Sequence, residues 1–172
     1  MRRPPLLLVL AAVALMALGA TAGAVMGGLG PETERYARAR IAANASAHGL
    51  LNAPEYDDEV IARTVFTAEA GLSFFHTHAE GLGPLLLLVG TVVATLVPGR
   101  RTRGVVHTLL VVGALFPLGY LVYGLAALEL GRDAGVDLAE RYVLTPLGSA
   151  VILGLLGVLA ALARRPQRDP SR

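Results

Sequence analysis

Cysteine, tryptophan and lysine are all absent from the 172 residues. Without cysteine there is no disulfide, no Fe–S cluster, no thiolate metal site and no cysteine nucleophile. Without lysine there is no Schiff-base chemistry and no phosphate-loop lysine; every basic residue is arginine. Without tryptophan, an interfacial belt has to be built from tyrosine and arginine. Charge is sparse as well, at 16% of residues with a formal net charge of +2. The arginines flank apolar stretches instead of covering a surface, which makes them topology determinants and excludes nucleic acid as the expected partner.

What is present is apolar. Hydrophobic residues make up 54% of the chain, and the mean hydropathy is +0.59. A soluble domain of this size needs more polar surface than that. Four apolar stretches recur, which predicts a single all-α domain: an integral membrane four-helix bundle with an extramembrane helical hairpin between helices 1 and 2. The expected spans are residues 6–28, 72–97, 104–128 and 142–163, with the hairpin at 31–71 and a cytoplasmic tail at 164–172. The bias towards Ala, Gly, Leu, Val and Arg is that of a GC-rich bacterium, so the expected location is a bacterial inner (plasma) membrane.

The first apolar stretch admits two readings. It is long enough to span a bilayer, yet Ala20-Thr21-Ala22 before Gly23 resembles a signal-peptide cleavage site, which would remove residues 1–22. Apolar character continues to Leu29, which favours a retained helix. Gly19, Gly23 and Gly27 recur at i, i+4 and i+8, giving a flat face suited to close packing. Packing within the chain is the expected use; a homo-oligomer or another membrane protein is the alternative, and membrane lipid is an expected partner throughout. Further on, Asn52-Ala53-Pro54-Glu55 reads as a capping box that starts the second arm of the hairpin. That arm is expected to run into the second span. Pro117 is expected to kink the third span and free the Gly113 carbonyl. Glu129 to Arg141 is expected to be a short polar loop.

Charge orients these spans. Arg2 and Arg3 open the chain, Arg100, Arg101 and Arg103 fill the second connection, and Arg164, Arg165, Arg168 and Arg172 close it. The other two connections carry more acids than arginines. The positive-inside rule then places both termini in the cytoplasm and the hairpin outside.

The densest group of metal-capable side chains opens the second span: His76, His78 and Glu80, with Glu69 and Ser73 upstream. Ionisable groups there are costly, so a role is the default expectation. On a continuous helix Glu69, Ser73, His76 and Glu80 fall within about 60° of one another, one polar stripe. His76 and Glu80 at i,i+4 can then share an ion, while His78 lies about 200° away from His76. If Pro84 instead starts the helix, HTHAEGLG becomes an interfacial loop and both rings can converge. Either arrangement suits Zn, Cu, Fe, Co or Ni, or a haem. Further ligands on the same side are His48, Glu129, Asp133, Asp137 and Glu140, and Tyr120 and Tyr123 are within reach of the stripe. His107 belongs to the opposite side. The alternative use of these groups is structural, as interfacial anchors or helix-to-helix hydrogen bonds. A serine hydrolase is not expected: Glu69, Ser73 and His76 share one helix and no GxSxG elbow exists.

The stretch Phe74 to Gly90, FFHTHAEGLGPLLLLVG, resembles the His-x-His helix starts of small bacterial four-helix membrane proteins of unknown function. More distantly, it is similar to the haem-ligand helix of haem–copper oxidase subunit I. The resemblance implies haem or copper ligation by His76 or His78. Three functions follow as expectations: a metal- or haem-binding accessory to respiratory or metal-handling machinery; a structural or interaction subunit; or a small transporter subunit. Whether the chain is an enzyme is left open by the sequence, and an enzyme is the less expected reading.

Overall fold

The computed structural model describes residues 3–164, and the described residues contain helices and no strand. Arg2, Arg165, Arg168 and Arg172, used above to orient the chain, lie outside the described residues, as does all of the tail beyond Arg164. Seven α-helices follow in order: α1 Leu6–Gly28, α2 Gly30–Ala43, α3 Pro54–Leu96, α4 Arg100–Gly113, α5 Leu118–Leu130, α6 Arg132–Ala139 and α7 Thr145–Ala163. A π-helical turn, Glu140–Leu144, joins α6 to α7. Four helical stretches are long and apolar enough to cross a membrane: Leu6–Gly28, Pro54–Leu96, Arg100–Leu130 and Arg132–Ala163. These are the features of a multi-pass membrane protein.

The expected first span, 6–28, is α1. Its inward face, Leu8, Ala12, Leu15, Gly19 and Ala22, recurs at three- and four-residue steps and lies on α3. The α3 helix is the spine, 43 residues long, and Pro84 sits inside it. Proline lacks the donor that would reach the Glu80 carbonyl, but the helix continues on both sides. HTHAEGLG is therefore helical, not an interfacial loop.

Three local expectations are corrected. Asn52 does not cap α3: it has a left-handed backbone (φ 57), and Ala53 occupies the N-cap position without a side-chain hydrogen bond. Pro54 explains the shift, because its fixed φ and missing donor suit the first helical position. Asp57 instead accepts from the Leu51 amide at 2.8 Å, tying the loop to the helix start. The α-helix of the third span is interrupted just before Pro117. Residues 114–117 form tight turns, and the Gly113 carbonyl is not freed, since the Phe116 amide donates to it at 2.9 Å. The expected loop from Glu129 to Arg141 is mostly helix. Gly131 (φ 87) makes the reversal alone, and the next residues form helix at once, with Arg141 donating to Asp137 one turn back.

The α2 helix lies across α3 and α5 through a small core of Ala37, Ile41, Val65 and Leu128. The main core joins α1, α3, α4 and α7 around Leu8, Leu86, Val93 and Leu110. Between α3 and α5 the backbones almost touch. A Cβ on Gly71 would lie 2.7 Å from the Tyr120 carbonyl oxygen, and one on Gly124 would lie 3.0 Å from that of Ala68. Gly71→Leu should therefore destabilise the protein by about 1–3 kcal/mol, as overpacking does. Gly81→Leu, where no atom lies within 4 Å, should leave the thermal midpoint in detergent unchanged. Equal midpoints for the two variants would disprove this packing.

Candidate functional site

The polar stripe of α3 divides into parts with different neighbours. His76 enters the seam between α3 and α1. Its Nδ1 donates to the Gly19 carbonyl at 2.9 Å, which leaves Nε2 as the acceptor of a neutral ring. The ring fits because Gly23 has no side chain: a Cβ there would lie 2.7 Å from His76 Cε1. Gly19 and Gly23 are thus used within the chain, against α3, whereas Gly27 has no atom within 4 Å of its Cβ position. Glu80 lies one turn on, with Oε1 3.7 Å from His76 Nδ1 and its side chain half exposed.

His78 occupies a different face. Its Nδ1 donates to the Phe74 carbonyl at 2.8 Å, and its ring stacks on Tyr120 at 4.7 Å between centroids, tilted by 33°. Phe116 meets the same ring edge-on at 5.6 Å, and Phe74 does so at 6.4 Å. The turn at residues 114–117 brings Phe116 into this group. Aromatic packing of this kind uses the imidazole as a flat ring. His76 and His78 do not converge.

Glu69 and Ser73 lead elsewhere again. Both line a half-open cavity of about 470 Å³ between the end of α1, α2, α3 and α5. Its walls are mainly apolar (Met26, Leu72, Leu121, Leu125), with Thr33, Tyr36 and Tyr120 adding hydroxyls. Glu69 is exposed, and among the described residues its carboxylate has no ion pair. Nothing in the sequence marked this cavity, since its walls come from four helices and the chain carries no repeat that would register them.

Of the other expected ligands, Glu129, Asp133 and Asp137 are paired with arginines, whereas Glu140 has no ion pair among the described residues. Glu129 takes two bonds from Arg40, at 2.7 and 2.5 Å, and one from Asn44 at 3.1 Å. The bond to Glu129 and its charge raise the Arg40 pKa. Asp133 pairs with Arg132 and Asp137 with Arg141. His48 is buried and its Nε2 meets the Leu128 carbonyl at 2.9 Å, while its Nδ1 has no partner among the described residues. His107 faces Gly90 with Nε2 3.4 Å from the carbonyl oxygen. Gly90 lies fourteen residues beyond His76 on the same helix, about 20 Å at the α-helical rise, so the two histidines belong to opposite ends. Among the described residues no three His, Asp or Glu side chains come together as a metal-binding group. His76 and Glu80 approach each other through Nδ1, which is already bonded to the Gly19 carbonyl, and even together they are fewer than the three or four donors of zinc sites. His76→Phe keeps the ring in the seam and removes its bond to α1, so stability should fall by about 0.6–1.7 kcal/mol. His78→Phe preserves the stacking and should leave stability unchanged; a larger loss from His78→Phe, read by thermal unfolding in detergent, would reverse these assignments.

No protein family, characterised protein or solved structure matches the chain.

Proposed function

We propose that the chain is an accessory protein of the bacterial inner membrane that holds an amphiphilic molecule in the cavity beside Glu69. In this reading both termini are cytoplasmic, and α2 with the first turns of α3 stands outside the bilayer. The cavity is the observation that carries the reading. Its volume is within the range of small-molecule sites, about 300–1,000 Å³, and such sites combine apolar walls with a few convergent polar groups. The polar groups here are one carboxylate and several hydroxyls, so the matching ligand has an apolar body and a head that donates hydrogen bonds to Glu69. Length supports the protruding hairpin: 43 residues of α3 measure about 65 Å at the helical rise, roughly twice the hydrocarbon thickness of about 30 Å.

A second reading keeps the pair His76 and Glu80 as a metal site. Their i,i+4 spacing, with Glu80 Oε1 3.7 Å from His76 Nδ1, favours it; an ion held through Nδ1 would have to displace the bond to the Gly19 carbonyl, and the remaining ligands would come from outside the chain. A haem at His76 or His78 has less support, because one ring is held in a helix seam and the other among aromatic rings.

Three experiments test these readings. Protein purified without a His-tag in mild detergent should carry a stoichiometric amphiphile, recovered by solvent extraction and mass spectrometry. Glu69→Gln and the cavity-filling Leu125→Trp should each reduce that occupancy at least severalfold. Elemental analysis and an optical spectrum of the same sample decide the second reading: a stoichiometric metal lost in His76→Ala with Glu80→Ala would displace the cavity as the site. Topology can be read without background because the chain has no cysteine. Asn52→Cys should react with an impermeant maleimide in intact cells whose outer membrane is permeable to it. Arg101→Cys should react only after the inner membrane is opened, and the reverse pattern would invert the orientation.

A further inference from the structure

The other end of the bundle holds a shallow depression that arginines line. Arg3 and Pro5 before α1, Ala94 at the end of α3, and Arg100, Arg103, Gly104 and His107 of α4 line this depression of about 340 Å³. Two chain segments, the start of the chain and the first turn of α4, thus contribute three arginines to its lining. Among the described residues none of Arg3, Arg100 or Arg103 forms an ion pair with a carboxylate. Every other arginine inside the helices from Arg35 to Arg141, Arg101 apart, has a carboxylate partner: Arg35, Arg38, Arg40, Arg63, Arg132 and Arg141. Acids are sparse at this end because Glu80 is the last acid before Glu129.

The site is built by packing, not by loop position alone. Gly90 lets the start of the chain approach α3: a Cβ there would lie 2.5 Å from Leu8 Cδ2 and 3.5 Å from Pro4 Cβ. That contact holds Arg3 beside α4. Gly99 (φ 79) turns the chain so that α4 begins at Arg100 without a cap or an acid in its first turn. Arginine and Gly104 face the depression at i and i+3 or i+4, while Arg101, one residue from Arg100, does not line it. Cations gathered at the positive end of a helix repel both the dipole and one another unless an anion sits between them.

We propose that this depression binds the phosphate of an anionic glycerophospholipid. A phosphodiester offers oxygens that match guanidinium forks. The neighbouring surface is apolar at Val105 and Leu7, both exposed, and suits the acyl chains of the same molecule. Basic pockets between membrane helices at the leaflet surface recognise lipid headgroups in this way. The assignment does not depend on the amphiphile cavity beside Glu69, nor on which leaflet this end meets.

The test compares two substitutions that remove the same charge from the same turn. Full-length protein is delipidated in detergent and titrated with phosphatidylglycerol, phosphatidylcholine or inorganic phosphate, with binding read by native mass spectrometry and by thermal shift. Wild type and Arg101→Gln should bind phosphatidylglycerol alike and at least tenfold more tightly than phosphatidylcholine. Arg103→Gln should lose about tenfold. Arg103→Lys keeps the charge and the topology signal but loses the fork, and should fall between wild type and Arg103→Gln. Equal loss in Arg101→Gln and Arg103→Gln would reduce the effect to general charge and overturn the site. A thermal shift from inorganic phosphate as large as that from phosphatidylglycerol would make the ligand soluble and overturn the lipid assignment.

Discussion

The close approach of α1 and α5 to the backbone of α3 is the interaction on which the arrangement depends. Between helices in lipid there is no water to expel, so contact area and hydrogen bonds must hold them together. Gly19 and Gly23 open the α1 face, and Gly71 and Gly124 open both sides of the α3–α5 contact. Only across so short a gap does His76 reach the Gly19 carbonyl. The histidine and the glycines are parts of one joint.

Between α4 and α5 the third span leaves the α-helical pattern and is held by bonds to carbonyls three residues earlier, from Val112 to Tyr120. No backbone acceptor at Gly113 is left open, as an apolar surrounding requires. The break also turns Phe116 towards His78 and Tyr120. An aromatic cluster thus joins α3 to the interrupted span.

The sequence made the long apolar spans legible, because length and hydropathy act locally: 6–28 corresponds to α1, and the second arm of the hairpin does run into the second span as α3. It also made Glu69, Ser73, His76 and Glu80 legible as one stripe, since α3 is continuous. It did not show what each member would meet. His76 faces a carbonyl of α1, His78 three aromatic rings, and Glu69 a cavity, and these partners are set by helix-to-helix packing that no spacing within α3 encodes. The end of the expected loop at Glu129 to Arg141 was illegible for a simpler reason. One glycine with a positive φ, Gly131, was enough to reverse the chain, and polar composition after it looked the same whether helical or not.

Most polar side chains in the spans answer their own backbone. Thr21, Thr64, Thr67, Thr91 and Thr95 each donate a hydroxyl to the carbonyl four residues earlier, which hides the hydroxyl without a second helix. His78 does the same with Phe74. Such groups give a solute no continuous polar path, which counts against a pore through the monomer. A carboxylate has no equivalent solution, because it is acceptor-only when ionised and the carbonyls of its own helix offer it no donor. Glu80 has His76 beside it, and Glu129 has Arg40. Glu69, exposed at the wall of a mainly apolar cavity, has neither among the described residues, and in the function proposed above a ligand head supplies that donor.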